Sequence, residues 1–183
     1  KMLTNKQKAA LKKVMPRDTK RNREDPNIAR FYTAQIKDNY AYATDKFKAI
    51  AVMLESGQCT DDTVLLNDKV DHNVPTVDIS KLFDKSRLHD ENAYIVQFPY
   101  SELKRVAELG TLIKTSEDKA LTRFTVTRQH VETFTFREHQ EALLPHYHDM
   151  PETVKIEPSI QSKVEVVINA EYLNDVLVAF KHL

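Results

Sequence analysis

Between Ile28 and Leu54 three extended runs follow one another through connections too short for a parallel crossover, so this part of the chain must build antiparallel hairpins. Phe31, Thr33 and Gln35 alternate with Tyr32, Ala34 and Ile36 in the first run. Lys37, Asp38 and Asn39 then supply turn chemistry, Tyr40 to Thr44 resumes the extended pattern, and Phe47 to Leu54 forms the third run. Helical periodicity precedes them. Thr4 or Asn5 can cap a helix with an apolar stripe of Leu3, Ala10, Leu11, Val14 and Met15, which Pro16 stops. The charged segment from Arg17 to Asn27, with Pro26, reads as a loop or disordered arm.

The same alternation of helix and strand continues downstream. Glu55 to Asn73 reads as a loop with one brief strand near Val64 to Leu66. Asp78 is placed to cap a short helix, Ile79 to Lys85, with Leu82 and Phe83 inward. Ala93 to Phe98 is a strand, and Pro99 or Ser101 opens a helix with Leu103, Val106, Ala107 and Leu109 on one side and Gly110 as its terminator. Phe124, Val126, Val131, Phe134 and Phe136 are expected inward residues of the next strands, with Arg128 to His130 near a turn. Glu138 to Pro158 reads as a long connection. Lys163 to Ile168 is a strand, and Asn169 caps a last helix with the stripe Leu173, Val176, Leu177 and Phe180. The fold class is α+β, and the helix-then-strands order at Asn5 to Leu54 echoes that at Tyr100 to Arg137.

Composition excludes several function classes. The longest apolar runs, near Ala49 to Leu54 and Val176 to Phe180, fall far below the roughly 20 residues that span a bilayer, so no membrane partner is expected. The N-terminus lacks the apolar segment of a secretory signal; Lys1 before Met2 suggests a residual tag with Met2 as the natural start. The single cysteine, Cys59, cannot form an internal disulfide and fits a reducing, cytoplasmic setting. It lies in a polar segment with no nearby histidine and reads as an ordinary residue. Two isolated glycines cannot form a phosphate-binding loop, and no serine, histidine and acid arrangement stands out, so neither cofactor nor catalysis is expected.

Charge is informative through its distribution. The formal net charge is zero, yet Lys1, Lys6, Lys8, Lys12, Lys13, Arg17, Lys20, Arg21 and Arg23 face only one acid, Asp18, over the same stretch. That asymmetry is either an electrostatic footprint for phosphates or a solvated N-terminal segment. A second grouping, His146, His148 and Asp149 with His139 upstream, offers metal-ligand chemistry for a metal-dependent hydrolase, although its spacing matches no specific metal motif.

Two segments carry a family resemblance. NYAYATDKFKAIAV, Asn39 to Val52, and VVINAEYLNDVLVAF, Val166 to Phe180, resemble parts of DNA sliding clamps, especially the bacterial DNA polymerase III beta subunit, and occur in the expected order. The resemblance implies a DNA-clamp-like α+β fold of helix plus antiparallel strand meander units repeated in two domains. These are residues 1–91, with the basic helix and loop, and 92–183, which would be incomplete at its C-terminal end because strands expected after the last helix are absent. It makes Asp45, in Ala43-Thr44-Asp45, a structural residue that fixes a turn or strand end, not a catalytic acid.

A clamp encircles duplex DNA without catalysis and tethers a polymerase or other replication protein, most simply as a homo-oligomer. Its inner surface needs diffuse positive charge that attracts phosphates without reading bases. The residues matching this role are Lys6, Lys8, Lys12 and Lys13 on the first helix, extended by Arg17, Lys20, Arg21 and Arg23. Lys104 and Arg105 are further candidates, with an ordinary solvated helix face as the competing reading. The bacterial family has three domains and a partner-peptide pocket dependent on its C-terminal domain, so no pocket residues carry over. The last helix sets Glu171 and Asp175 against Lys181, a poor phosphate-facing surface. The alternative is a non-catalytic DNA-binding or adaptor protein of a phage or mobile element, in which the basic N-terminal arm acts without a ring.

Overall fold

The computed structural model describes residues 2–71, 73, 75–83, 96–127, 130–139 and 163–183, together with the backbone of 146–149 and 155–156. The chain divides into two compact units, Lys1–Leu88 with Val178–Leu183, and His89–Leu177.

In the first unit, α1 (Asn5–Val14) begins at a capping box: the Thr4 hydroxyl accepts from the Gln7 amide while the Gln7 side chain accepts from the Thr4 amide. Its buried Ala10, Leu11 and Val14 lie against β2 (Tyr40–Thr44) and β3 (Ala49–Met53). Asp38 and Asn39, at φ 52° and 62°, form the two-residue turn from β1 (Thr33–Lys37) to β2, a left-handed pair whose twist suits an antiparallel hairpin. β4 (Asp62–Leu65) joins the far side of β1, giving the antiparallel order β3-β2-β1-β4. Ile36, Ala41 and Val52 share one register row, and Ala43 lies opposite Ile50. All five are buried, and the small alanines of β2 leave room for the apolar side of α1.

The opposite face of this sheet is organised by Gln35 and Tyr42. Gln35 Oε1 accepts from the amides of Ile79 at 2.6 Å and Ser80 at 2.9 Å, while its amide nitrogen donates to Asp78. This bonding pins a single 3-10 turn, Ser80–Phe83, against the strands, and the ring of Phe83 packs on Tyr42. The Ser80 hydroxyl, followed by Gln35, holds the Asp78 carboxyl down at about 2 from the ordinary 3.8. Its folded value lies below the unfolded one, so its stabilising contribution is complete above 3.8 and disappears as the pH falls through about 2. Urea unfolding of wild type and Asp78→Ala should therefore show a midpoint gap at pH 6 that narrows at pH 2; a gap independent of pH would contradict this linkage.

The second unit is built on α4 (Tyr100–Ile113), packed across β6 (Ala120–Val126) and β7 (Val131–Arg137). β8 (His146–Asp149) and β10 (Val164–Asn169) complete the antiparallel order β10-β6-β7-β8, while β5 (Val96–Gln97) pairs separately with β9 (Lys155–Ile156). Val106, Phe124, Val126 and Val131 make the core, flanked by Phe98, Leu103, Val164, Ile168 and Leu173. α5 (Ala170–Phe180) follows β10 directly, and Asn169 Oδ1 caps it by accepting from the amides of Glu171 and Tyr172.

Several expectations need correction. Arg17–Asn27 is not an arm: Thr19 caps α2 (Lys20–Glu24), and Asp25, followed by Pro26 at the first helical position, caps α3 (Pro26–Ala29). Phe31 and Tyr32 lie in a 3-10 turn before β1, and Phe47 lies in a loop before β3. The expected helix from Ile79 is the short turn already described; Leu82 is 62% exposed, and 84–85 lie outside the described residues. Gly110 does not end its helix, which runs on to Ile113. Phe134 does not share the Phe124 and Val126 face: strand alternation gives those inward positions to Thr133 and Thr135, and Arg123 covers the Phe134 and Phe136 rings from the other side. The long connection after Glu138 contains β8 and β9. Expectations for Ala93–Ile95 and Arg128–Gln129 lie outside the described residues.

Candidate nucleic-acid interface

Helix α1 separates its chemistry by face. With Ala10, Leu11 and Val14 turned into the core, Lys6, Lys12 and Lys13 are exposed and Lys8 is half-buried. None of these four ammonium groups enters an ion pair among the described residues. Lys12 and Lys13 occupy the last turn, where the carbonyl end of the helix favours positive charge. Long side chains with mobile heads on a fixed helix produce a positive surface able to meet phosphates without fixing a register.

The following basic residues are positioned differently. Arg17 and Arg21 are exposed. Arg23 is paired with Asp18, and Lys20 stands 3.8 Å from Glu24, so half of this group is locally neutralised. Arg23, then Asn67, hold the Asp18 carboxyl below its ordinary range through hydrogen bonds, with Lys69 adding a weaker electrostatic pull. Lys69, absent from the sequence-derived candidates, lines a cleft with Lys20 and Arg23 beside α2 and α3. Its signal was weak: one lysine in a loop becomes notable only when Asn67 is seen bonded to Asp18 at 3.1 Å.

In the second unit the two helical candidates have local partners. Lys104 donates to Glu108 at 2.7 Å and Asn174 at 2.8 Å, and its side chain is only 19% exposed. Arg105 is exposed and lies 3.8 Å from Glu102. The last helix carries Glu171 in an ion pair with Lys114 at 3.0 Å. His146, His148 and Asp149 stand on β8, in register with Thr135, Thr133 and Glu132 respectively; their side chains lie outside the described residues. His139 is bonded to Asp118.

The loop between β2 and β3 is held by a local set of hydrogen bonds and an ion pair. Asp45 Oδ1 accepts from the amides of Phe47 and Lys48, each at 3.0 Å, and Oδ2 pairs with the Lys48 ammonium at 2.7 Å. The Thr44 hydroxyl accepts from the Lys46 amide and donates to the Lys48 carbonyl. These bonds hold Lys46 at φ 86° and leave Phe47 72% exposed. Asp45 has the structural role expected of it.

No protein-family model and no curated protein sequence matches the chain. Solved structures do. The beta subunit from DNA polymerase of Streptococcus pyogenes matches with a TM-score of 0.55 at 14% identity, over 94% of this chain and 54% of that one. The chain has the sliding-clamp fold. DNA polymerase III subunit beta from Pseudomonas aeruginosa gives 0.56 at 12% identity over 94% and 54% of the two chains, and the C. crescentus beta sliding clamp gives 0.60 at 12% over 95% and 53%. The chain thus spans about half the length of the clamps it matches. Its helix-plus-antiparallel-strand units are those the Asn39–Val52 and Val166–Phe180 segments led one to expect. Among the described residues no helix is long and apolar enough to cross a membrane.

Proposed function

We propose that this protein is a clamp-like processivity or tethering factor that binds duplex DNA non-specifically and recruits replication or repair proteins, without catalysing a reaction. The observation that carries the reading is a clamp fold with a rigidly capped first helix whose four lysines have no ion-pair partner among the described residues. Such a surface attracts phosphates by counterion release and reads no base. Arg17 and Arg21 extend it, while Lys20 and Arg23 must exchange their present acidic partners to contribute. Lys104 and Arg105 contribute less, because each already has an acidic neighbour. Phe47, held exposed on an ordered loop, is suited to anchor a protein partner, since large rigid aromatics dominate binding energy at interfaces.

The decisive measurement is duplex binding across a salt series for wild type and a Lys8→Ala/Lys12→Ala/Lys13→Ala variant. The variant should bind about tenfold more weakly or worse at moderate salt, and its log–log salt slope should be shallower by roughly 0.9 for each phosphate it no longer neutralises. An unchanged affinity and slope would remove α1 as the DNA-facing surface. Assembly separates the clamp from an adaptor that uses the same charges. β3 and β10 end their sheets among the described residues and could extend by strand addition, so a clamp should have the solution mass of a closed homo-oligomer. A monomer that still binds DNA would favour the adaptor.

A further inference from the structure

At one end of the sheet of the second unit, three side chains of metal-ligating type converge. Asp118 lies in the connection from α4 to β6, and Glu138 and His139 form the turn immediately after β7. One ligand atom from each of the three lies within 4.8 Å of the other two. We propose that Asp118, Glu138 and His139 form a binding site for a divalent transition-metal ion of the zinc class.

The backbone fixes both ligand-bearing segments before any ion arrives. Asp118 is tied to its own loop, because its amide donates to the Thr115 hydroxyl at 3.0 Å and its carbonyl accepts from the Thr115 amide at 3.1 Å. The two segments are joined where the Glu138 amide donates to the Lys119 carbonyl at 2.9 Å. The His139 amide donates to Asp118 Oδ1 at 3.1 Å, and His139 Nδ1 stands 2.9 Å from the same oxygen. An imidazole nitrogen and a carboxylate oxygen are therefore already side by side.

Ligand atoms each about 2.1 Å from a tetrahedral zinc lie about 3.4 Å apart, so this pair needs only a small opening to admit the ion. Glu138 is exposed, and its flexible side chain has the freedom to close the third position. Water completes the shell.

Burial and ligand chemistry select the kind of ion. The Asp118 side chain is only 9% exposed, and among the described residues its one ionisable hydrogen-bond partner is His139. A buried carboxylate is held by a positive partner or a metal, and a divalent ion would balance both carboxylates here. One imidazole with two carboxylates suits zinc or its first-row neighbours better than calcium, which takes six or more oxygen ligands. The ion would staple the α4–β6 connection to the end of β7, a structural role that needs no substrate pocket.

Chelator-treated protein without a histidine tag should be titrated with zinc by calorimetry, and its thermal midpoint measured with zinc and with calcium. One zinc per chain should bind at this site, raising the midpoint by several degrees, with no rise in calcium. Glu138→Gln, an exposed and nearly isosteric change, should weaken zinc binding tenfold or more while leaving the metal-free midpoint unchanged, and His139→Ala should remove binding. Absence of zinc binding would overturn the proposal. So would binding undiminished in both variants, which would direct attention to His146 and His148, and so would an equal response to calcium.

Discussion

Replacing Gly110 by alanine should destabilise the second unit by about 2–3 kcal/mol, even though alanine is the better helix former by about 1 kcal/mol. A Cβ built on Gly110 would fall 2.1 Å from the Cβ of Ala170, far inside van der Waals contact. The obstacle is short and rigid: Ala170 is the first residue of α5, has no rotatable side chain and is fully buried. Relief would require α4 and the start of α5 to separate, straining the Tyr100 hydroxyl bond to the Leu177 carbonyl and the Lys104 bond to Asn174. Urea unfolding should therefore show a lower midpoint for Gly110→Ala, with much of the loss restored in Gly110→Ala/Ala170→Gly. In the double variant the remaining neighbours, the Ala170 Cα at 3.5 Å and the Ala120 Cβ at 3.6 Å, are ordinary contacts. A stabilising Gly110→Ala substitution would mean that the helices stand further apart than described.

Gly110 also shows where sequence reasoning stopped. A glycine near the end of an apolar helical stripe has the pattern of a terminator, but its smallness can equally serve a close approach. Only the position of Ala170, distant in sequence, separates the two. The same limit applied to Thr133 and Thr135. Threonine beside phenylalanine suggests that the aromatic residue turns inward, yet period-two alternation put the threonines inside, where the Thr135 hydroxyl lies 3.1 Å from that of Thr122. That bond satisfies polar groups which would otherwise oppose burial.

Elements governed by local chemistry were legible. The Thr4 cap, the Asp38-Asn39 turn and the Asn169 cap each draw on residues within a few positions, and all lie where their sequence indicates. The short helices α2 and α3 carried comparable cap signals in Thr19 and Asp25-Pro26. They lacked an apolar stripe, and neither contains more than five residues, so periodicity had nothing to act on. The strand through His146–Asp149 was hidden because three prolines, Pro145, Pro151 and Pro158, made its surroundings resemble a loop.

The candidate interface was partly legible for the same physical reason. That α1 would turn its lysines outward follows from its apolar stripe. Which lysines and arginines keep their charge available does not, because the partners of Arg23 and Lys104 are set by folding: Asp18 and Asn67 converge on one site, and Asn174 reaches Lys104 from another helix. Among the described residues the α1 lysines have no ion-pair partner, whereas the ion pairs at Lys20, Arg23 and Lys104 reduce the positive surface elsewhere.

Asp45→Ala should lower stability by about 3–5 kcal/mol, the range for removing one partner of a buried ion pair and leaving the other charge behind. Lys48 and Asp45 side chains are 9% and 11% exposed, so water can restore little of what the carboxylate supplies. The substitution also leaves the Phe47 and Lys48 amides without their acceptor. Asp45→Asn, which retains an oxygen for those amides but not the charge, should lose less than Asp45→Ala. Lys46→Gly should change stability in the opposite direction, by up to about 1 kcal/mol, because glycine accepts φ 86° without the strain of a Cβ. That gain is reduced by loss of the Lys46 ammonium 5.3 Å from the Phe31 ring. Chemical denaturation of the three variants would test the order. Equal losses for alanine and asparagine would assign the loop's stability to charge alone, while near-neutral behaviour of Asp45→Ala would show that Thr44 and the strand pairing hold the loop without it. The first order makes Phe47 a rigidly presented side chain, and the last makes it a mobile one with correspondingly less value as a partner anchor.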